Sequence, residues 1–177
     1  MSITGKNKNE TYRVGSSIGD IVAGLYAVIG VLTQIIFRNQ SKKGSRLDLS
    51  MLDCQVAILE NAIARYSVEK KIPCPLGTDH PSITPFGAFK TLDGTLAIAI
   101  GNNKMFKDFC YSIKNEELCK KKKYENNAKR NKNLSDLRRD IEYQMKKKKT
   151  NYWCKVFVKN KIPHSKINNV KDVIKNK

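Results

Sequence analysis

The strongest feature of the hydrophobic pattern is the uncharged run from Ile21 to Phe37. Serines and Asp20 stand just before this run, and both residue types cap helix N-termini. The pattern therefore predicts a helix that begins within Ser17–Asp20 and extends to about Asn39. Because this helix is apolar on almost every face, we expect neighbouring elements to bury most of it.

The same run has the composition of a membrane span, but a buried core helix fits it better. It is at the short end of the ~20 residues that a bilayer requires, and it contains Gly24, Gly30, Thr33 and Gln34. Each glycine costs a helix about 1 kcal/mol relative to alanine. We therefore expect a backbone or a ligand to approach the helix at the glycines, and we expect no membrane partner.

The pattern around this helix predicts an α/β arrangement. Residues 1–13 show no periodicity and are expected to form a loop. Arg46–Ser50 alternates polar and apolar side chains, which is typical of a short strand. From Met51 to Lys70, apolar side chains recur every three or four residues and predict a second helix with one core face. Helix, strand and helix in this order indicate part of an α/β domain over residues 1–70.

A proline-rich segment, residues 71–85, precedes a second pattern. Its prolines break regular structure, so we expect a linker or an active-site loop at a domain boundary. Residues 86–177 then predict a small α+β domain that starts with a β-hairpin, Phe86–Lys90 and Thr95–Ile100, joined by an Asp-Gly turn. The remaining expectations are helices at 102–113, 134–148, 150–159 and 170–174, a loop or frayed helix at 115–133, and a loop at 161–165.

The charge is strongly positive and unevenly distributed. The net charge is +18, of which residues 101–177 carry +15. A basic half suggests RNA or an anionic surface as a partner. However, the runs Lys120–Lys123 and Lys146–Lys149 contain no aromatic residue and no arginine, and such residues are what base recognition needs. We interpret the runs as solvated faces and expect no specific nucleic-acid partner, with a basic binding module kept as the alternative.

Few residues have the spacing of a reactive site. The five cysteines include no CxxC pair and the chain has no P-loop, so we expect neither a metal site nor a disulfide framework. Reduced thiols are typical of the cytosol. His80 and His164 lie in proline-containing loops, where surface histidines are common. By elimination Asp20 is the best catalytic candidate, although the residues alone favour a capping role for it.

An ordered set of short segments runs along the whole chain: Met1–Gly5, Arg13–Gly15 with Asp20, Gly44–Asp48, Gly77–Pro81, Pro85–Phe89, Ile98–Asn102 with Phe106, Asn127 with Arg130, and Pro163 with Asn168. In this set the chain resembles the family III coenzyme A transferases, the group of formyl-CoA transferase, L-carnitine dehydratase and bile-acid-inducible protein F. The stretch Gly101–Phe106 and the loop Gly77–His80 are most similar to the branch that moves CoA between succinate and glutarate-type dicarboxylates.

The resemblance implies a mechanism with one carboxylate. Asp20 would be the nucleophile that attacks an acyl-CoA thioester and passes through an aspartyl-CoA intermediate. Gly77, His80 and Ser82 would bind substrate, and no metal or permanently bound cofactor would be needed, since coenzyme A and acyl-CoA are the substrates. A homodimer in the cytoplasm, or in the mitochondrial matrix of a eukaryote, is expected. The related acyl-CoA racemases would use the same aspartate as a base, and this alternative stays open.

The resemblance also predicts that the chain is incomplete. The family's N-terminal Rossmann-like half, which holds most CoA contacts, has no counterpart in this sequence. Residues 1–70 would then be part of the large Rossmann-like domain, 71–85 the linker or active-site loop, and 86–177 the small domain. We therefore expect no catalysis by the isolated chain and poor solubility of its apolar helix.

Overall fold

The structure, a computed structural model, describes residues 1–175 and contains helices together with small sheets. It divides into two compact units, Met1–Gly77 and Thr78–Lys177. The division falls between Gly77 and Thr78, inside the proline-rich segment. The mixed helix and strand content is that of the predicted fold class.

The first unit is built around one long helix. Strands β1 (Gly5–Asn7) and β2 (Glu10–Thr11) pair antiparallel where the sequence predicted only a loop. Helix α1 spans Ile18–Ser41 and confirms the predicted long helix. It ends at Lys42, which is left-handed and donates its backbone N–H to Arg38 O at 2.8 Å.

Two predictions for the rest of this unit are wrong. Residues 46–50 form no strand, because no neighbouring strand is present to pair with them among residues 1–175. Instead the Ser50 hydroxyl accepts the Asp53 N–H at 3.2 Å and caps helix α2. The predicted second helix is broken into α2 (Met51–Ala57) and α3 (Glu60–Glu69). Between them Leu59 N donates to Val56 O, three residues back, which interrupts the α-helical ladder.

The predicted burial of α1 is also wrong within the described chain. Only Val22 and Ala23 are buried in this helix, and they pack with Cys54 of α2. A Cβ at Gly30 would lie 2.8 Å from a methyl group of Leu47, so the absence of a side chain at Gly30 lets Leu47 pack against α1. Ile18 is half-buried against this cluster, whereas most other large apolar side chains of α1 are exposed, among them Ile21, Leu25, Val28, Ile29, Leu32, Ile36 and Phe37.

Among the residues that the structure describes, one helix, α1, is long and apolar enough to cross a membrane. The interior helix of a soluble protein has the same properties. What distinguishes α1 here is that its own unit covers so little of it. An exposed apolar surface of this extent is typical of an interaction site or of an aggregation-prone face.

The second unit has a three-stranded antiparallel sheet with helices around it. The strand order is β3 (Phe86–Lys90), β4 (Thr95–Ala99) and β5 (His164–Lys166). The helices are α4 Asn103–Ser112, α5 Glu116–Lys120, α6 Asn127–Lys132, α7 Leu134–Met145, α8 Thr150–Lys159 and α9 Val170–Lys175, with a 3₁₀ turn at Lys122–Tyr124.

The structure confirms the hairpin and the helices α4, α7, α8 and α9 to within a few residues. The predicted loop or frayed helix at 115–133 is instead ordered as α5, the 3₁₀ turn and α6, because Leu118, Tyr124 and Arg130 are fully buried. The predicted loop at 161–165 supplies the start of β5, which pairs His164 with Ile98 of β4. Both regions were missed because their packing partners lie far away in sequence.

One core joins the sheet to the helices. Phe89, Leu96 and Ile98 point into it from the sheet, and aromatic side chains of α4 and α8 close it from the other side. Phe109 and Phe157 lie with ring centres 5.7 Å apart. Losing one such ring costs about 3–5 kcal/mol in protein cores, so this cluster is the main source of stability of the unit.

The hairpin turn also anchors α8. The Asp93 carboxylate accepts both the backbone N–H of Thr150 at 2.7 Å and its hydroxyl at 2.9 Å. Thr150 is the first residue of α8, so Asp93 caps this helix from a distant part of the chain. The bond from the Thr150 N–H holds the pKa of Asp93 below its usual range.

We expect the isolated chain to self-associate through α1. Replacing Leu25 and Leu32, which are 60% and 55% exposed, by lysine should shift the chain toward monomer because charge opposes burial of that face. Sedimentation velocity over a concentration series measures this shift. As a control, Val68→Lys, at an 83% exposed position outside α1, should leave the association unchanged; equal effects of the two variants would contradict the expectation.

Asp93→Ala should lower the unfolding temperature at pH 7, because it removes the cap of α8. The pKa of Asp93 is lower in the folded chain, so its contribution is complete above the unfolded pKa and is lost as the pH falls through the folded value. The difference between the variant and the natural chain should therefore shrink below a pH of about 4. Thermal unfolding at several pH values tests this.

Asp108→Ala is the matched control, since the Asp108 side chain makes no hydrogen bond or ion pair within residues 1–175. Its effect should be small at every pH. A loss of stability in Asp93→Ala that stays constant from pH 7 to pH 3 would show that the carboxylate charge is not what stabilises α8.

Candidate active site

Asp20 lies in the first turn of α1 with its side chain exposed. It makes no hydrogen bond and no ion pair with any residue in the described part of the chain. The capping residue is Ser17, whose own side chain makes no capping bond. Asp20 is thus a free carboxylate at the positive end of a long helix, where backbone N–H groups favour negative charge.

The surface beside Asp20 is shaped by two glycines. A Cβ at Gly19 would lie 3.1 Å from the Gln55 amide, so α2 approaches the helix closely there. Gly24 follows Asp20 by four residues and therefore lies on the same face of α1. A Cβ at Gly24 would meet no described atom within 4 Å. The face that carries Asp20 is open over a full helical turn.

The predicted substrate-binding residues are distributed over the two units. Gly77 closes the first unit: its backbone is left-handed, with φ +63°, and its N–H donates to Gly5 O at 3.0 Å. His80 and Ser82 belong to the second unit, where the structure brings them into contact. The Ser82 hydroxyl lies 3.4 Å from the imidazole Nδ1 of His80.

His80 is held more firmly than a surface histidine. Its Nδ1 accepts the backbone N–H groups of Ser82 and Ile83, each at 3.1 Å. Its ring stacks on Phe86 at a centroid distance of 5.0 Å. Because Nδ1 accepts two bonds, we assign the proton of the neutral ring to Nε2. Nε2–H has no partner among residues 1–175 and can donate to a ligand.

The segment with His80 covers the free edge of the sheet. His80 N donates to Phe86 O at 2.9 Å, and Ala88 N donates to the Thr78 hydroxyl at 3.1 Å. Helix α7 completes the cover, since Arg138 donates to Ala88 O at 2.7 Å and Glu142 accepts from Lys90 N at 3.2 Å. These four bonds satisfy polar groups that an edge strand otherwise leaves open to another chain.

The sequence analysis gave no positioning role to several residues that hold this loop. Asp79 forms an ion pair with Arg138, which stacks over the Phe89 ring. Three residues of α6, Asn127, Arg130 and Asn131, bond to the segment Ser82–Thr84. Their spacing of three and four residues on a polar helix was the available signal, but it does not reveal what the face contacts.

Both lysine runs lie near carboxylates and tyrosine rings, since Lys146 pairs with Glu142 at 3.4 Å and Lys121 and Lys123 lie 5.8 and 5.0 Å from the centre of the Tyr124 ring. In the first run Lys120, Lys121 and Lys123 pair with Glu117, Asp140 and Asp136 at 2.7–2.8 Å. In the second, the fold places Lys147 over the Tyr143 ring at 4.4 Å and Lys148 over Tyr152 at 5.6 Å. Carboxylates therefore offset much of the first run's charge.

Residues 1–175 contain no group of three or more His, Cys, Asp or Glu side chains that could hold a metal ion. The five cysteines are free. Burial raises the pKa of the Cys110 thiol, which keeps it protonated and unreactive at neutral pH. In the first unit Asp20 offers a carboxylate, and in the second unit the loop with His80 and Ser82 offers hydrogen-bond donors.

Known proteins are similar to this sequence over nearly its whole length. The profile of CoA-transferase family III matches residues 1–177. Succinyl-CoA:glutarate CoA-transferase from Homo sapiens is 33% identical over 98% of this chain and 40% of its own length. Acetyl-CoA:oxalate CoA-transferase from Acetobacter aceti is 30% identical over 92% of this chain and 42% of its own.

Solved structures agree with these matches. A CAIB/BAIF family protein from Brucella suis superposes with a TM-score of 0.82 at 30% identity, over 98% of this chain and 46% of that protein. A hypothetical protein from Mycobacterium tuberculosis gives the same TM-score at 18% identity, which shows the fold alone. The chain spans about 40% of the length of the curated relatives it matches, and those relatives are named as enzymes. The chain belongs to CoA-transferase family III.

Proposed function

We propose that the chain is the part of a CoA-transferase that carries the nucleophile, and that Asp20 is this nucleophile. The observation that carries the proposal is the unpaired carboxylate of Asp20 at the N-terminus of α1, beside the open face at Gly24. Membership of CoA-transferase family III gives this carboxylate a reaction to perform.

The reaction needs one carboxylate because its steps are acyl exchanges. An Asp20 oxygen attacks the thioester carbonyl, the C–S bond breaks, and a mixed anhydride and CoA thiolate form. The thiolate then attacks the Asp20 carbonyl carbon, which releases the donor acid and leaves an aspartyl-CoA thioester. The acceptor carboxylate repeats the two steps in reverse and regenerates Asp20. Covalent catalysis of this kind divides one difficult exchange into easier steps.

The position of Asp20 suits these steps. Free backbone N–H groups in the first turn of α1 stabilise the oxyanions that form at each attack. The absence of a side chain at Gly24 leaves space for the bulky thioester along the same face. A side chain that already formed a capping bond or an ion pair would first have to break it, whereas Asp20 forms neither within residues 1–175.

We propose that the loop with Gly77, His80 and Ser82 binds the carboxylate of the substrate. The Nε2–H of His80 and the hydroxyl of Ser82 are donors, and a dicarboxylate of the succinate or glutarate type offers the matching acceptor. The names of the relatives from Homo sapiens and Agrobacterium fabrum contain such acids. The proposal includes a homodimer in the cytoplasm or mitochondrial matrix, with no metal, no resident cofactor, no specific nucleic acid and no membrane as partner.

The test uses the chain fused to the portion of a succinyl-CoA:glutarate CoA-transferase that it does not span. Positioning of the thioester contributes several kcal/mol to such steps, so we expect transfer in the fusion and none in the isolated chain. Asp20→Ala in the fusion should reduce transfer from succinyl-CoA to glutarate by roughly 10⁴-fold, as loss of a nucleophile does. Chromatography of the two CoA esters measures the rate.

Asp53→Ala is the matched control, because Asp53 is also an exposed carboxylate in a first helical turn. It should keep the rate within a factor of about three. Hydroxylamine added during turnover should label Asp20 as a hydroxamate that mass spectrometry detects. Full transfer by a stable Asp20→Ala fusion would disprove the nucleophile role, and exchange of the substrate α-proton without transfer would favour the racemase branch.

A further inference from the structure

Asn127, Arg130 and Asn131 form one face of α6, here called the α6 clamp. Their side chains bond to most of the polar groups of the segment Ser82–Thr84. Asn127 and Asn131 both donate their side-chain N–H to Ser82 O, at 2.7 and 2.9 Å. Asn127 also accepts the Thr84 N–H at 2.9 Å. Arg130 Nε donates to Thr84 O at 2.7 Å, and the Thr84 hydroxyl bonds to Asn131.

One peptide unit links this clamp to His80. The carbonyl that receives both asparagine bonds, Ser82 O, is in the same planar group as the N–H of Ile83. In a trans peptide the C=O and N–H point in opposite directions. The Ile83 N–H donates to Nδ1 of His80 at 3.1 Å. Rotation of this one plane would therefore break the clamp on one side and the imidazole bond on the other.

Burying Arg130 without a carboxylate partner costs free energy, which indicates that the α6 clamp does more than stabilise the fold. Arg130 is 0% exposed, yet its three bonds go to neutral oxygens, Thr84 O, Tyr124 O and Asn103 Oδ1. Its guanidinium also lies 4.5 Å from the centre of the Phe106 ring. Burial lowers the pKa of Arg130, which reflects the cost of holding a charge there without a carboxylate. A buried ion pair or charge is weak evidence for stability.

We propose that Asn127 and Asn131 are positioning residues that act through the Ser82–Ile83 peptide to keep Nδ1 of His80 an acceptor. The ring then presents Nε2–H as the donor for a substrate carboxylate. Arg130 holds the carbonyl of Thr84, two residues farther along, so that the loop cannot slide along α6. This inference rests on the proposed function for the identity of the ligand, but the hydrogen-bond geometry of the loop can be tested without it.

The variants Asn127→Asp and Asn131→Asp, singly and together, isolate the peptide link. Aspartate keeps the size of asparagine and the oxygen that accepts from Thr84, but it removes the N–H donated to Ser82 O. Asn151→Asp is the matched control, because Asn151 is exposed and its side chain bonds to no residue in 1–175. All are made in the full chain with the Leu25→Lys and Leu32→Lys substitutions that oppose self-association.

The first measurement is nitrogen NMR of the two histidine rings, with His164 as an internal reference. In the parent chain with the imidazole ring neutral, Nδ1 of His80 should be unprotonated and Nε2 protonated. In the double variant we expect both tautomers, and an Ile83 amide that exchanges with solvent at least tenfold faster. The Asn151 control should match the parent. An unchanged His80 tautomer and unchanged Ile83 exchange in the double variant would overturn the proposal.

The second measurement is a titration with glutarate, followed by isothermal titration calorimetry in every variant and also at the His80 ring where that ring is present. The parent should respond with saturation, and the double variant should bind roughly tenfold more weakly. If His80→Ala and the double variant together weaken binding no more than His80→Ala alone, the asparagines act through His80. Additive losses would contradict this. No response of His80 in a parent that shows the expected tautomer would disprove the substrate role of the loop while supporting the positioning role of the clamp.

Discussion

The second unit depends on one constraint, that the water-shielded backbone polar groups of the segment Thr78–Thr84 and of the neighbouring edge strand need partners. Helices α6 and α7 provide these partners through side chains, since Asn127 and Asn131 hold the loop and Arg138 and Glu142 hold β3. An unpaired buried donor or acceptor costs about 1–3 kcal/mol. The packing of the helices, the order of the loop and the orientation of its histidine are therefore set together.

In the first unit, by contrast, most side chains of the main helix are not covered by other parts of the described chain. Helix α1 makes its backbone bonds internally, but only a few of its side chains are buried in the described chain. The apolar character of its surface follows from the absence of charge between Asp20 and Arg38. The same property isolates Asp20, because no cation within that run can pair with it. An unpaired carboxylate and an apolar face are thus two consequences of one sequence feature.

The positive charge lies apart from the candidate site residues. In the first lysine run Asp136 and Asp140 of α7 pair with Lys123 and Lys121, although exposed pairs of this kind contribute little stability. In the second run lysines lie over exposed tyrosines. Neither arrangement involves Asp20, His80 or Ser82, so the charge forms a separate feature of the surface.

The sequence by itself determined the elements with a strong local signal. The uncharged run specified α1 and the Asp-Gly turn specified the hairpin, because each depends on neighbours within a few residues. It also singled out Asp20. Only the tertiary structure decided that residues 46–50 have no strand partner, and that α6 holds the His80 loop. Those outcomes depend on contacts between distant segments, which periodicity along the chain cannot express.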